Sequence, residues 1–141
     1  MIVLDTNVVS EPLKPQPNPV LLDWLNAQAP QTLYLTSITV AELLAGVDAM
    51  PTGQKRDKLR LAILEQILPL FEGRVLPFDL AAAQAFASVN TQARLSGHPI
   101  GFADGAIAAI SAAHGFILAT RNVNDFKGAN IALINPWDKA S

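Results

Sequence analysis

The chain has 141 residues, 50% hydrophobic and 16% charged, and its formal net charge of −2 argues against a strongly basic, nonspecific nucleic-acid-binding domain. This composition, with a mean hydropathy of +0.29, indicates a globular fold with one buried core and excludes extended disorder. The absence of cysteine excludes disulfides and thiolate metal sites, and two histidines are too few for a histidine-rich zinc site, so any metal ion would need oxygen ligands.

Hydrophobic periodicity predicts strands and helices that alternate along the chain. The predicted strands are IVL (2–4), LYLT (33–36), RVLPF (74–78), FILAT (116–120) and IALI (131–134). The predicted helices span residues 20–29, about 38–50, 55–71, 80–96 and 101–113. The proline-rich stretch PLKPQPNP, residues 12–19, is predicted to be a loop.

This alternation predicts an α/β fold with a parallel sheet of four or five strands covered by helices on both faces, in a single domain over residues 1–141. In such sheets, ligands bind outside the carboxyl ends of the strands. Crossover helices run antiparallel to the strands, so the amino-terminal turns of these helices lie at the same edge.

The twelve acidic residues divide into two groups by their predicted positions. Seven lie near turns or on exposed helix faces: Glu11, Asp23, Asp48, Asp57, Glu65, Glu72 and Asp138. The other five fall at the carboxyl edge of the predicted sheet: Asp5, Glu42, Asp79, Asp104 and Asp125. One edge therefore collects most of the acids for which solvent exposure is not an obvious explanation.

Each acid at this edge also has a purely structural interpretation. Thr39 and Glu42 have the T-x-x-E spacing of a capping box, and Asp79 is well explained as the N-cap of the helix that follows it. Asp104 would interact favourably with the positive end of its own helix, and Asp125 would suit a turn. Asp5 resists such an explanation most, because the end of a buried strand is a poor place for an unpaired charge.

Taken together, Asp5, Glu42, Asp104 and Asp125 favour a different explanation. Like charges that converge in a partly buried site raise one another's pKa unless a cation compensates them. Arg121 is the one basic residue in the same segments, so a divalent metal ion is the natural compensator. Carboxylate ligands without cysteine or paired histidine indicate Mg²⁺ or Mn²⁺.

The ordered segments resemble those of the PIN-domain ribonucleases, specifically the VapC-type toxins of VapBC toxin–antitoxin systems. The resemblance runs almost from end to end. It rests on LDTNVVSE (4–11), TVAELLAG (39–46), RVLPFD (74–79), PIGFADGAIAA (99–109), ATRNVNDF (119–126) and INPW (134–137). Two departures are Gly105, where a better helix former is usual, and Asn124, where relatives often carry a basic residue.

The resemblance implies an acidic pocket at the carboxyl edge of the sheet and Mg²⁺- or Mn²⁺-dependent cleavage of RNA to 5′-phosphate and 3′-hydroxyl ends. It assigns the metal-binding and catalytic roles to Asp5, Glu42, Asp104 and Asp125. The implied supporting residues are Thr6, Asn7, Thr120, Asn122 and Arg121, of which Arg121 is equally well explained as a surface residue at a strand end. The metal ion would lower the pKa of a bound water and neutralise the scissile phosphate.

Two other functions remain open at the level of the sequence. A haloacid-dehalogenase-like phosphatase would use Asp5 as its nucleophile. Such enzymes carry a D-x-D motif at the first strand, whose second aspartate is the general acid, and in this chain that position is Asn7. A noncatalytic PIN interaction module would not need the four acids. The implied partners are RNA, a small antitoxin protein and a second copy of the chain in a homodimer. We expect a cytoplasmic protein, since neither a signal peptide nor a membrane-spanning stretch is evident.

Overall fold

The computed structural model describes residues 1–138 and has an α/β fold built on a five-stranded, fully parallel sheet. The strands are β1 (Ile2–Leu4), β2 (Leu33–Thr36), β3 (Val75–Leu76), β4 (Ile117–Ala119) and β5 (Leu133–Ile134). The predicted fold class and strand positions are confirmed. The third strand is shorter than its apolar run because Pro77 has no N–H for the ladder, and the Phe78 amide instead donates to Ser37 Oγ, 3.3 Å away.

Helices cover both faces of the sheet. They are α1 (Thr6–Ser10), α2 (Pro19–Ala27), α3 (Ser37–Asp48), α4 (Gln54–Leu61), α5 (Leu68–Leu70), α6 (Leu80–Leu95) and α7 (Phe102–His114). The predicted helix over residues 55–71 is interrupted by a π-helical segment, Ala62–Ile67. The five-residue α1 was not predicted, because it is too short to show helical periodicity. No helix within residues 1–138 is long and apolar enough to span a membrane.

The strand order β3-β2-β1-β4-β5 places the first strand at the centre of the sheet. The chain extends from β1 through β2 to β3 on one side, and then crosses to β4 and β5 on the other. The carboxyl ends of β1 and β4 therefore flank a topological switch point, where open parallel sheets form ligand-binding crevices. Leu4 pairs with Ala119 in this ladder, so Asp5 and Thr120 leave the sheet side by side.

Alternate side chains of β1 enter two separate hydrophobic cores. Val3 packs with Ile107 of α7, Leu118 of β4 and Phe126 in one core. Leu4 enters the opposite core, whose other fully or nearly buried members include Val8, Leu21, Leu35, Leu43 and Ile63. Asp5 directly follows these two core residues and is itself buried.

Gly105, a departure from the expected pattern, lies where α6 and α7 pack closely. A Cβ atom at this position would approach Cε2 of Phe86 to 2.9 Å and Cγ2 of Ile100 to 3.5 Å. Phe86 itself packs against two other aromatic rings, those of Phe78 and Phe102. The small residue is therefore required by helix packing, which outweighs the poor helix propensity of glycine.

Candidate active site

Asp5 follows β1 and is buried, with 5% of its surface exposed. It is the N-cap of α1: the Thr6 amide donates to Oδ1 at 2.9 Å. Oδ2 accepts hydrogen bonds from Thr120 Oγ1 at 2.7 Å and from Asn7 Nδ2 at 3.4 Å. Burial raises the pKa of Asp5 above its ordinary value, and the charges of Glu42 and Asp125 add to this, while the Thr120 and Thr6 hydrogen bonds oppose it.

Glu42 lies on α3, and the alternative interpretation of Glu42 as part of a capping box does not hold. The helix begins at Ser37, so its N-cap is Thr36, whose side chain accepts a hydrogen bond from the Thr39 amide at 3.0 Å. Glu42 Oε1 instead accepts a 2.6 Å hydrogen bond from Thr6 Oγ1, whose oxygen also lies 3.3 Å from Thr39 Oγ1. The carboxylate of Glu42 is thus directed towards the chain that leaves β1.

Asp104 lies in the first turn of α7 and is half-buried. Its pKa is raised to about 6, first by burial and then by the negative charges of Asp5, Asp125 and Glu42. The position at a helix amino terminus would by itself favour the charged form. Burial and the three neighbouring carboxylates outweigh this effect, so the protonated form of Asp104 is favoured relative to an exposed aspartate.

Asp125 lies in a 3₁₀ helix, Val123–Phe126, and is exposed. Its amide donates to the Asn122 carbonyl at 2.9 Å, which satisfies the backbone of the turn and leaves the carboxylate without a structural role in it. Asp125 lines a polar cavity of about 460 Å³ together with Asp104, His98 and Asn124. Asp125 thus shares this cavity with Asp104, and its charge also acts on Asp5.

Compensating cations are lacking at this cluster within the described residues. The ion pairs of residues 1–138 are Lys14–Glu11, Arg56–Asp57 and Arg60–Asp48, and none of them includes the four acids. No three Asp, Glu or His side chains in this part of the chain stand in the arrangement of a formed metal site. The donor set nevertheless fits a hard divalent cation, because it consists of carboxylates whose mutual repulsion a cation would relieve.

The predicted supporting residues connect the ends of β1 and β4. Thr120 is fully buried, and its Oγ1 also accepts from the Asn122 amide at 3.1 Å. Asn7 Oδ1 accepts a 3.2 Å hydrogen bond from the Arg121 amide. The Arg121 guanidinium lies over the Trp137 ring, 5.3 Å from its centroid, a contact that the sequence did not suggest.

Glu11 was predicted to be an acid near a turn or on an exposed helix face, but the structure buries it. It is 5% exposed, and its carboxylate accepts from Lys14 Nζ at 2.9 Å and from the Asn18 amide at 3.1 Å. The hydrogen bond from Lys14 is the main reason that the pKa of Glu11 lies below its ordinary value. The short spacing between Glu11 and Lys14 was a visible signal for this pair, but the burial of Glu11 was not predictable from the spacing.

Comparisons with known proteins agree with this architecture. The model of the PIN domain family matches residues 2–130. The chain is 50% identical over 140 residues to VapC ribonuclease Y4jK of Sinorhizobium fredii, covering 99% of this chain and 100% of that protein. It is 45% identical over 137 residues to Toxin FitB of Neisseria gonorrhoeae, covering 97% and 99% of the two chains. The solved structure of FitAB bound to an IR36 DNA fragment contains a chain with 43% identity and a TM-score of 0.96, covering 100% of this chain and 99% of that one. The chain therefore belongs to the PIN-domain family.

Proposed function

We propose that this chain is a metal-dependent ribonuclease and the toxin of a type II toxin–antitoxin pair. The observation that carries this proposal is the convergence of four carboxylates at the switch point between β1 and β4: Asp5, Glu42, Asp104 and Asp125. Relatives named as a ribonuclease and as a toxin, at 50% and 45% identity over nearly the whole chain, support the activity and the biological role.

The proposed cofactor is Mg²⁺ or Mn²⁺. Asp5 and Asp104 would hold it, with help from Glu42 and Asp125. When bound, such an ion supplies a water of lowered pKa and neutralises charge on the scissile phosphate. The same ion would lower the pKa of Asp104 towards its ordinary range, because it replaces the repulsion from the neighbouring carboxylates with attraction.

Hydrogen bonds within the chain position the carboxylates that would hold the ion. Thr120 Oγ1 and the Thr6 amide fix the two oxygens of Asp5, and Thr6 Oγ1 fixes Glu42. Thr6 therefore couples two of the four carboxylates through its amide and its hydroxyl. Asp104 lies half-buried in the first turn of α7, which holds its carboxylate close enough to Asp5 for both to bind one ion.

The two alternative functions are less favoured. A phosphatase of the haloacid-dehalogenase type would need an acid two residues after Asp5, and Asn7 occupies that position with its amide donating to Asp5 Oδ2. A noncatalytic module would have no use for four uncompensated carboxylates, which reduce the stability of the fold. Relatives named for ribonuclease activity further favour the nuclease.

We also propose the partners and the extent of the functional unit. The substrate is RNA, and residues 1–141 act as one PIN domain in a cytoplasmic homodimer. The toxin is controlled by a small antitoxin whose basic side chain enters the acidic crevice. The solved FitAB complex, which contains a close relative of this chain and is bound to DNA, supports a protein partner of this kind.

The decisive experiment compares RNA cleavage by the wild-type chain, Asp5→Asn and Asp104→Asn in Mg²⁺, Mn²⁺ and EDTA. Asp23→Asn is the matched control, because Asp23 is an exposed carboxylate on α2. We expect cleavage by the wild type and the control in either metal, no cleavage in EDTA, and a loss of at least about 100-fold in both site variants. Equal cleavage by Asp104→Asn, or cleavage that survives EDTA, would sink the metal-nuclease proposal.

The toxin role has a separate test in living bacteria. Induced expression of the wild type should arrest growth, and Asp104→Asn should not. Co-expression of the small protein encoded beside the toxin gene should restore growth and co-purify with both forms. Growth arrest by Asp104→Asn at the same expression level would contradict toxicity through RNA cleavage.

A further inference from the structure

A second polar cavity, of about 490 Å³, opens at the same edge of the sheet as the acidic cluster. Its lining includes Glu11, Lys14, Gln16, Asn18, Arg121 and Trp137. Two cations and one carboxylate therefore face this cavity, so its lining is net positive, in contrast to the four acids beside it. None of these residues except Arg121 has a place in the proposed catalytic site.

One wall of this cavity is fixed by the buried carboxylate of Glu11. Its two oxygens accept from Lys14 Nζ and from the Asn18 amide, which closes the proline-rich turn between them. The Lys14 side chain nevertheless remains 55% exposed. An ammonium group has three donors, so Lys14 keeps N–H groups for a ligand while one of them is held by Glu11.

Arg121 and Trp137 form another part of the lining, where their side chains contact each other. The Arg121 guanidinium lies 5.3 Å from the centroid of the Trp137 ring, and Arg121 is exposed. Asn135 connects the backbones of the two residues, because its Oδ1 accepts from the Trp137 amide at 3.0 Å and its Nδ2 donates to the Arg121 carbonyl at 3.5 Å. The indole and the guanidinium are thus held in contact, and we call this pair the Arg121–Trp137 platform.

Asn7 joins this platform to the acidic cluster. Its Oδ1 accepts from the Arg121 amide at 3.2 Å, and its Nδ2 donates to Asp5 Oδ2 at 3.4 Å. Arg121 also directly follows Thr120, which donates to the same oxygen of Asp5. Through Asn7 and Thr120, the Arg121 backbone is therefore tied directly to the carboxylate of Asp5, so the positive cavity adjoins the acidic cluster.

We propose that this cavity is a nucleotide subsite, in which a base of the RNA flanking the scissile phosphate stacks on the Arg121–Trp137 platform. The adjoining phosphate contacts the Arg121 guanidinium and the Lys14 ammonium. This inference rests on the proposed function. Aromatic rings and guanidinium planes are the surfaces on which proteins stack unpaired bases, and stacking tolerates different bases. Glu11 is a positioning residue, since it acts through Lys14.

The first test varies the substrate length. Single-stranded RNAs are extended by one nucleotide at a time on each side of the cleaved bond, and kcat/KM is measured for the wild type, Trp137→Leu and Trp137→Phe. We expect Trp137→Leu to lose about 5- to 100-fold on RNAs that reach the cavity and far less on those that end before it. Trp137→Phe, which keeps an aromatic ring, should recover most of the loss.

The matched control is Trp24→Leu. Trp24 is the other tryptophan of the chain, lies on α2, and is half-buried outside the cavity lining. Its replacement should leave the dependence on substrate length unchanged. An equal loss on short and long RNAs in Trp137→Leu, or the same pattern in Trp24→Leu, would mean that Trp137 acts only through the fold.

A second measurement separates this inference from the proposed function. Binding of a fluorescent single-stranded RNA is followed in EDTA, where no metal-dependent cleavage occurs, with an intact RNA and one that carries an abasic flanking nucleotide. Trp137→Leu should weaken binding of the intact RNA about 5- to 100-fold and leave binding of the abasic RNA unchanged. If RNA binding depends on Trp137 in this way but the wild type cleaves no RNA in Mg²⁺ or Mn²⁺, the nuclease proposal is contradicted and the subsite proposal is retained. Unchanged RNA binding in Trp137→Leu, with weaker binding of the antitoxin, would overturn the subsite and assign the cavity to the protein partner.

Discussion

Thr120 Oγ1 donates a 2.7 Å hydrogen bond to Asp5 Oδ2, between residues that are 115 positions apart in the chain. The two residues leave adjacent parallel strands, because Leu4 pairs with Ala119. Both are buried, so this hydrogen bond forms where a charged carboxylate has little access to water. Of the hydrogen bonds to Asp5, it opposes the effect of burial on the pKa of this carboxylate most strongly.

Replacement of Thr120 by valine should therefore affect stability and catalysis together. Loss of a hydrogen bond to a buried charged group costs about 1.5–3 kcal/mol of unfolding free energy. It should also raise the pKa of Asp5 further, so that the acidic limb of the pH–rate profile moves to higher pH. Denaturant unfolding and the pH dependence of RNA cleavage measure the two effects. Thr120→Ser retains the hydroxyl and should behave like the wild type; a pH profile unchanged in Thr120→Val would contradict the role of this hydrogen bond.

The raised pKa of Asp104 predicts that the metal-free chain loses stability as pH rises. The folded chain binds the Asp104 proton with a pKa of about 6, whereas the model value for an unperturbed Asp is 3.8. The folded state therefore binds more protons in this interval, and the free energy of unfolding falls from about pH 4 to about pH 6. Asp104→Asn should remove this contribution and stabilise the metal-free chain at neutral pH by on the order of 1 kcal/mol, after solvent screening of a half-buried group.

The measurement is urea unfolding in EDTA at several pH values between about 4 and about 7.5. Asp23→Asn supplies the comparison, because it removes an exposed carboxylate and should keep the wild-type slope. A wild-type slope in Asp104→Asn would show that the pH dependence arises from other groups.

Addition of a divalent cation should reverse this destabilisation. Binding of Mg²⁺ or Mn²⁺ to the folded chain alone raises the unfolding free energy by about 1.4 kcal/mol when the free cation is tenfold above its Kd. Protons compete for the same carboxylates, so the increase in Tm should be larger at about pH 7.5 than at about pH 5.5. Thermal unfolding with and without cation checks this. An increase that is equal at both pH values, or that persists in Asp5→Asn/Asp104→Asn, would argue against a site at these acids.

Two glycines within helices provide a matched pair for the packing of α6 on α7. Gly105→Ala would bring a Cβ to 2.9 Å from the Phe86 ring, so the overpacking cost of about 1–3 kcal/mol should exceed the gain in helix propensity. At Gly46 of α3, no atom other than the backbone of the same helix and the adjoining residues lies within 4 Å of an added Cβ. Gly46→Ala should therefore stabilise the chain by up to about 1 kcal/mol. Denaturant unfolding of both variants decides this, and stabilisation by Gly105→Ala would refute the packing argument.

The elements that followed from the sequence are those set by local periodicity. Uninterrupted apolar runs marked the strands, and alternation with amphipathic segments marked the parallel sheet, because crossovers between parallel strands need helices. Asp79 was predicted to be an N-cap, and its side chain does accept a hydrogen bond from the Ala82 amide at 3.0 Å. The capping-box alternative for Glu42 does not hold, because the helix begins at Ser37 and is capped by Thr36.

The sequence alone determined which residue types reach the carboxyl edge of the sheet, because strand ends and helix starts can be located from hydrophobic patterns. Only the tertiary structure decided which of them are neighbours. The pairing of β1 with β4 brings Thr120 to Asp5, and close packing around the crevice raises the pKa of Asp104. The tertiary structure also placed Trp137 under Arg121, and it showed that Glu11 is buried. Burial and electrostatic coupling depend on distances through space between segments remote in the chain, and no local pattern of residues encodes those distances.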